Sequence, residues 1–318
     1  MNYLNNYLND LSSKKYVKKA EHIPVFLHIP KCAGTFTLGI LGELLRLYSY
    51  LVFRKVPKAN LITFELLFQK NSHACAAGLT AYAVDANKNQ RTYAEKNNCR
   101  IDFDDFLKLL ETGDVEIFCL AITSKLLLNE AQDKLFLLQE ASTKPFVYFM
   151  HLRSVYSRCL SMYNVHKAVG TIRLKTLTLP RDEASLEEFS TYLISYDSEP
   201  EWLHIFISYI FPALAPSKIP EFSKSYITAG AFYDARKTIK EVFSSVYGKV
   251  LGDFVDYIPD EMVLGNKGIS LANYRPSELS TEVVEKYKRL HEKDIHLIKT
   301  LLPNATFDSL DVDILKEP

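Results

Sequence analysis

The feature that most constrains the fold is a short apolar segment that runs directly into a polar turn and then into a long helical pattern. Val25–Ile29 is mostly apolar and stops at a proline, which predicts a buried strand. Pro30–Thr35 contains Gly34 and predicts a tight turn. From Phe36 onward, leucines recur at roughly helical spacing. Strand, turn and helix in this order are typical of the opening of a nucleotide-binding α/β domain.

Further elements are predicted along the chain. Val115–Ala121 and Phe146–Leu152 have the apolar character of buried strands, and Leu126–Ala141 between them has helical spacing. Another helix, Ser154–Ala168, follows the last strand directly. Two strand–loop–helix units of this kind predict an α/β fold with a central, mostly parallel sheet flanked by helices.

The rest of the chain is predicted to be mainly helical. Residues 183–247 have this pattern, with loops near Pro212–Pro220 and Gly230. Thr281–Leu302 is a long helix with Ser280 as its N-cap. Residues 1–22 are polar and predict a loosely attached leader or a short helix, and residues 23–318 predict a single domain.

Charge and hydropathy exclude several classes of protein. The chain carries 38 Lys+Arg and 38 Asp+Glu, and this balance argues against a sequence-independent nucleic-acid binder. A hydrophobic fraction of 47% excludes disorder of the whole chain. The apolar run Phe36–Phe53 is interrupted by Glu43 and Arg46, which predicts a buried helix and no transmembrane segment.

Cysteine usage and the N-terminus indicate a reducing compartment. The five cysteines are an odd number, widely spaced and without a CxxC pair, so neither a disulfide framework nor a zinc site is predicted. The N-terminal residues lack the apolar centre of a signal peptide. We therefore expect a cytoplasmic protein.

The segment His28–Thr37 contains the parts of a phosphate cradle. A helix N-terminus offers backbone N–H groups and a partial positive charge, and Lys31 adds a full charge. Gly34 permits close approach of the backbone, while Thr35 and Thr37 supply hydroxyl groups. The alternative is a polar turn with a solvated lysine. The ATP-binding P-loop is excluded because the lysine precedes the only glycine.

The same residues resemble a known family. His-Ile-Pro-Lys-x-x-Gly-Thr after a strand is similar to the 5′-phosphosulfate loop of sulfotransferases that use 3′-phosphoadenosine 5′-phosphosulfate, closest to the heparan sulfate 2-O-sulfotransferase-like carbohydrate branch. The resemblance implies a P-loop-like three-layer fold and no required metal. It also implies that Lys31 contacts the 5′-phosphate and the bridging oxygen of the donor. The implied donor-binding residues of this loop are Lys31, Cys32, Ala33, Gly34, Thr35, Phe36 and Thr37.

A second motif follows the strand Phe146–Leu152. The family carries L-R-[DS]-P-x-x-R-x-x-S-x-Y there, and Arg153, Arg158, Ser161 and Tyr163 fall in register with it. The resemblance implies that Arg153 and Ser161 hold the 3′-phosphate. Ser154-Val155 replaces the usual Asp-Pro, and Ser154 keeps the N-cap role. The alternative is that the arginines pair with carboxylates and that Ser161 only packs in the helix.

Transfer to an alcohol needs a general base. The resemblance points to a Gly-His pair ahead of the second motif, and His73 is the candidate, with Ser72 where glycine is usual. A histidine without a catalytic role is the alternative. Other candidates are His28, His151, His166, Glu43 and Glu65.

The resemblance also extends to the C-terminal part. It implies a loop that closes over the donor, with Lys267 and Gly268 as contacts, followed by a final helix in which Asp294 matches a family aspartate. A solvated turn is the alternative for the loop.

We therefore expect a sulfotransferase that moves a sulfuryl group to a hydroxyl of a glycan or glycoconjugate. Lys31 and His73 would carry the catalysis. One alternative is an ATP-dependent kinase with a degenerate phosphate loop. The other is a nucleotide-binding or interaction module without catalysis.

Overall fold

The computed structural model describes residues 2–11, 17, 20–53, 63–67, 79–85, 98–123, 131–169, 185–195, 200–263 and 278–305. The strands are β1 (Ile23–His28), β2 (Thr63–Leu67), β3 (Leu79–Asp85), β4 (Asn98–Asp102), β5 (Val115–Thr123), β6 (Phe146–Leu152) and β7 (Ile227–Ala231). The helices are α1 (Asn2–Asp10), α2 (Gly34–Phe53), α3 (Phe103–Glu111), α4 (Ala131–Ser142), α5 (Val155–Val169), α6 (Leu186–Leu193), α7 (Trp202–Ile210), α8 (Ile219–Tyr226), α9 (Ala235–Tyr247), α10 (Lys249–Phe254), α11 (Asp260–Val263) and α12 (Thr281–Leu301).

The described strands form one mixed sheet in the order β4-β2-β3-β5-β1-β6-β7. β1 lies between β5 and β6 and is parallel to both, with Val25 opposite Leu120 on one side and Tyr148 on the other. β2 and β4 are also parallel, whereas β3 is antiparallel to β2 and β5. The prediction of an α/β fold with a mostly parallel sheet is confirmed.

The strand order places a topological switch between β1 and β6. The strands that follow β1 in the chain, β2 to β5, lie on one side of it in the sheet. The last two strands, β6 and β7, lie on the other side. In open α/β sheets, ligands bind in the crevice outside the carboxyl ends of the two strands at such a switch. The carboxyl end of β1 is therefore the place in the sheet where a ligand site is expected.

Both faces of the sheet are covered. Phe26, Phe118 and Phe149 point to one face, where they share a core with residues of α2 and α9. Val25 and Leu27 alternate with Phe26, lie outside that cluster and are also fully buried. Strands buried on both faces are typical of parallel sheets, because helices cover each side.

The chain divides into two compact units. Unit 1 contains residues 1–151 and 225–265, and unit 2 contains residues 152–224 and 266–318. Both units are discontinuous in sequence. The single domain of residues 23–318 stays a prediction.

The polar N-terminal residues contain a packed helix. In α1, Tyr7 is buried and its hydroxyl donates to the carbonyl oxygen of Val250. The hydroxyl of Tyr3 donates to Glu43 on α2. Of the two predicted alternatives for residues 1–22, the short helix is therefore present, and it packs within unit 1 through the buried Tyr7 and the half-buried Tyr3.

Several predicted elements agree with the structure. β6 has the predicted bounds, β1 starts two residues earlier than predicted, and β5 extends to Thr123. Ser280 caps α12, because its Oγ accepts a hydrogen bond from the amide of Val283 at 3.4 Å. α2 is a buried helix as predicted, with Leu41 and Leu44 fully buried. None of the described helices has the length and apolarity needed to cross a membrane.

Other elements were not predicted. The sequence patterns did not indicate β2, β3, β4 or α3, and β7 interrupts the region predicted to be mainly helical. β2, β4 and β7 have five residues each, which is too few for the alternation of a strand to be distinguished from an irregular loop sequence.

A buried ion pair joins α5 and α6 in unit 2. Nζ of Lys167 donates to Glu188 at 2.8 Å, and the hydroxyl of Tyr163 donates to the other carboxylate oxygen, also at 2.8 Å. All three side chains are almost completely buried. A buried pair is costly to break from one side, because the remaining charge has no solvent to screen it.

We expect Lys167→Met to destabilise the protein by about 3–5 kcal/mol, because it leaves the Glu188 carboxylate buried without a cation. Urea denaturation followed by circular dichroism measures this loss. Lys286→Met, which removes the exposed partner of Glu282 on α12, is the matched control and should change little. Equal effects of the two variants would contradict the buried pairing.

Candidate functional site

The loop between β1 and α2 has an unusual backbone. Lys31 and Ala33 have φ angles of 68° and 57°, in the left-handed region that non-glycine residues rarely adopt. Cys32 between them is buried, has no positive φ, and its amide donates to the carbonyl oxygen of Ile29 at 3.2 Å. Such alternation of handedness turns successive amides toward one side and makes a concavity that suits an anion.

The first turn of α2 adds to this concavity. The amides of Gly34, Thr35 and Phe36 belong to the first turn, where N–H groups have no acceptor within the helix. The helix dipole of α2 gives its N-terminus a partial positive charge. Lys31 is half-buried and Thr35 is exposed, so a cationic side chain and a hydroxyl belong to the same short segment as these amides. The residues present suit an anionic group.

Thr37 differs from the other residues of the loop. It is fully buried, and its hydroxyl donates to the carbonyl oxygen of Ala33 at 2.9 Å. Because a hydroxyl has a single proton, Thr37 has none to donate to a ligand in this conformation. Its observed role is to hold the first turn of α2.

Gly34 is required by the packing of His28. A Cβ atom at this position would lie 1.7 Å from Nε2 of His28, far inside van der Waals contact. The imidazole of His28 in turn stacks on Phe26, with ring centroids 5.6 Å apart. The glycine therefore allows the last residue of β1 to lie against the start of α2.

His151, near the end of β6, is the second histidine at this edge of the sheet. Its imidazole is fully buried, lies 5.4 Å from the Phe26 ring, and finds no hydrogen-bond partner for either nitrogen among the described residues. Burial, assisted by the nearby His28, lowers the pKa of His151 to about 3. The imidazole is therefore neutral at physiological pH.

In unit 2, the second motif spans the start of α5. Ser154 is the N-cap, because its Oγ accepts from the amide of Ser157 at 3.2 Å, as predicted. Nε of Arg153 donates to the hydroxyl of Ser157, and both Arg153 and Ser161 are half-buried. The two side chains predicted to bind the 3′-phosphate are thus partly exposed to solvent.

The other two residues of this motif have packing roles. Arg158 is buried with its guanidinium 4.0 Å from the centre of the Trp202 ring. Tyr163 is bound to Glu188, as described above. Both residues match the motif in sequence, but in the structure they are part of the core of unit 2.

The predicted base and the closing loop are not described. His73, Lys267 and Gly268 lie outside the described residues. Of the other candidates, His166 contacts the Tyr192 hydroxyl through Nδ1 at 3.1 Å, and Glu43 forms an ion pair with Arg46 at 3.0 Å. Of Glu65, only its backbone in β2 is described.

The candidate residues are divided between the units. Residues 31–37 belong to unit 1, whereas Arg153 and Ser161 belong to unit 2. Asp294, which the resemblance implied, is fully buried in unit 2 and accepts hydrogen bonds from the start of α7. His151, one of the alternative candidates for the base, lies in a strand predicted to be buried and is itself fully buried.

Comparison with protein-family models, curated proteins and solved structures gives no significant match in any of the three. Within the described parts of the chain, no group of three or more His, Cys, Asp or Glu side chains could hold a metal ion.

We expect Gly34→Ala to destabilise the protein by about 1–3 kcal/mol, because the new methyl group collides with His28. The double variant His28→Ala/Gly34→Ala removes the colliding ring. Chemical denaturation of both single variants and the double variant forms a cycle, in which the double variant should be more stable than the sum of the two losses. Additive losses would show that the two residues do not collide.

The burial of His151 leads to a prediction about how the stability of the protein depends on pH. The unfolded chain binds a proton at this residue below pH 6.5, whereas the native state does so only near pH 3, so stability falls as pH drops through this window. Replacing the histidine, as in His151→Phe, should reduce this slope by up to about 1.4 kcal/mol per pH unit. Urea denaturation between pH 7 and pH 4 measures it. His296→Phe, at an exposed site, is the control, and identical slopes for His151→Phe and wild type would contradict the assignment.

Proposed function

We propose that the protein is a sulfotransferase that moves a sulfuryl group from 3′-phosphoadenosine 5′-phosphosulfate to a hydroxyl, with a glycan or glycoconjugate as acceptor. The observation that carries this proposal is the loop of Lys31 and Ala33, which joins the carboxyl end of β1 to the start of α2 at the switch point of the sheet. The segment that resembles a 5′-phosphosulfate loop therefore lies where α/β sheets bind ligands. The cytoplasmic location stays a prediction.

The chemistry of the loop fits the 5′ end of the donor. The ammonium of Lys31, the first-turn amides of α2 and the exposed hydroxyl of Thr35 are all hydrogen-bond donors, as an anionic phosphosulfate requires. Cys32 is buried and its amide already donates to the carbonyl oxygen of Ile29, so it would shape the loop and not donate to the phosphosulfate. Thr37 would act through the helix start that its hydroxyl holds.

Arg153 and Ser161 are the proposed contacts of the 3′-phosphate. Arg153 is half-buried, and a guanidinium binds phosphate with two parallel hydrogen bonds. Ser161 presents a hydroxyl on α5, two turns beyond the N-cap residue Ser154, which directly follows Arg153. The resemblance assigns these two residues to the same phosphate.

In the proposed reaction the donor supplies the sulfuryl group and leaves as 3′-phosphoadenosine 5′-phosphate. Lys31 would stabilise the negative charge that develops on the departing 5′-phosphate. Electrostatic stabilisation of this kind is usually the largest single contribution to catalysis. A general base, with His73 as the candidate, would take the proton of the acceptor hydroxyl.

The proposal predicts binding that depends on the 3′-phosphate. Calorimetric titration without magnesium should show that 3′-phosphoadenosine 5′-phosphate binds more tightly than adenosine 5′-phosphate. Arg153→Ala should weaken only the former, by at least about tenfold, because a charged hydrogen bond contributes about 1.5–3 kcal/mol. Lys31→Ala should weaken both. Arg289→Ala, on the exposed side of α12, is the control and should bind as wild type does.

The outcomes separate the alternatives. Binding of ATP with magnesium, and not of the 3′-phosphorylated nucleotide, would replace the proposal by the kinase hypothesis. Binding of 3′-phosphoadenosine 5′-phosphate without sulfuryl transfer to a panel of glycans would favour the non-catalytic module. Binding of no nucleotide would contradict both the sulfotransferase and the kinase, and would leave an interaction module without a nucleotide.

A further inference from the structure

Unit 2 contains a pocket of about 580 Å³ that the sulfotransfer proposal does not use. This volume lies in the range of small-molecule sites. We call it the α7–α12 pocket, because α7 contributes more of its lining than any other element and Lys293 of α12 also contributes. The lining residues are Glu201, His204, Ile205, Ser208, Tyr209, Pro216, Ser217, Ile219 and Lys293.

His204 in this pocket is oriented by a buried aspartate. Asp294 on α12 has no exposed surface, and its Oδ1 accepts a hydrogen bond from Nδ1 of His204 at 2.8 Å. The same carboxylate accepts from the amides of Leu203 and His204 at 3.1 and 3.2 Å. It thereby caps α7, whose N-cap residue Glu201 makes no side-chain cap.

This arrangement leaves one nitrogen of His204 for a ligand. In the tautomer that donates Nδ1–H to Asp294, Nε2 carries no proton and is the acceptor nitrogen. Nε2 has no hydrogen-bond partner among the described residues, and 13% of the side chain is exposed. A carboxylate that fixes the tautomer and direction of an imidazole is a common way to prepare it for a ligand or a proton.

The remaining polar groups favour an uncharged ligand. Lys293 and Glu201 pair with each other at 2.9 Å, and the Asp294 carboxylate is satisfied by three donors, so no charge of the lining is left without a counterpart. The hydroxyls of Ser208, Ser217 and Tyr209 can both donate and accept. The ring of Tyr209 and the exposed side chain of Ile205 offer apolar surfaces for the C–H groups of a ligand.

We propose that the α7–α12 pocket binds a neutral polyhydroxylated small molecule of sugar size, with Nε2 of His204 accepting a hydrogen bond from a ligand hydroxyl. The proposal goes beyond sulfuryl transfer, because none of the lining residues is a proposed donor contact and the occupancy is measured without nucleotide.

The test uses the full-length protein with labelled histidines. Glucose, N-acetylglucosamine and maltose are the neutral probes, and glucuronate and glucose 6-phosphate are the anionic ones, each at about 10 mM to detect weak binding. At least one neutral probe should shift the Cε1–Hε1 NMR signal of His204 and leave that of exposed His296 unchanged. The His204 signal is identified by its loss in His204→Asn.

Two variants connect the shift to the pocket. In His204→Asn the amide can still donate to Asp294, but the Nε2 acceptor is lost, so the protein should fold and bind the probe at least about tenfold more weakly. Ser217→Trp fills the pocket without altering the Asp294 contact and should abolish binding. Calorimetry measures both affinities, and thermal unfolding verifies both folds.

The proposal is overturned by any of three results. These are no shift of the His204 signal with any neutral probe, a shift with anionic probes alone, and unchanged affinity in folded His204→Asn. Because no nucleotide is present, a failure here leaves the donor-binding experiment unaffected, and the converse also holds.

Discussion

The parallel pairing of β1 with both β5 and β6 is the constraint on which unit 1 depends. It places Phe26 among Phe118, Phe149 and the residues of α2 and α9, and it brings the ends of β1 and β6 to the same edge of the sheet. At that edge the chain turns through two left-handed residues into α2. The position of the candidate anion site follows from the strand order and from the direction of a single strand.

Predictions that depended on local patterns agreed with the structure where the pattern was long. β6 is a continuous apolar run that follows a proline, and α12 has a serine cap and extended periodicity, so both were located within one residue. β2 and β4 are short, and their stability comes from pairing with each other across a separation of 35 residues, which a local period cannot show.

The candidate site shows the same difference between local contacts, which a sequence pattern can predict, and long-range contacts, which it cannot. The loop at Lys31 was predicted from neighbouring residues, and the contact of His28 with Gly34 joins positions only six apart. In contrast, Asp294 and His204 are separated by 90 positions, and no sequence pattern connects them. Arg158 and Tyr163 matched a motif but are core residues, because a motif gives residue type and order without burial.

The cap that Asp294 provides for α7 has a consequence for synthesis. Glu201 supplies no side-chain cap, so the first turn of α7 takes its acceptors from a residue that leaves the ribosome 91 positions after Leu203. Until α12 is made, the amides at the start of α7 have only water as a partner. An isolated helix of nine residues is too short to persist in water, so α7 becomes stable late in translation, together with the C-terminal helix. A truncated chain that ends before α12 would therefore lose more than its last helix.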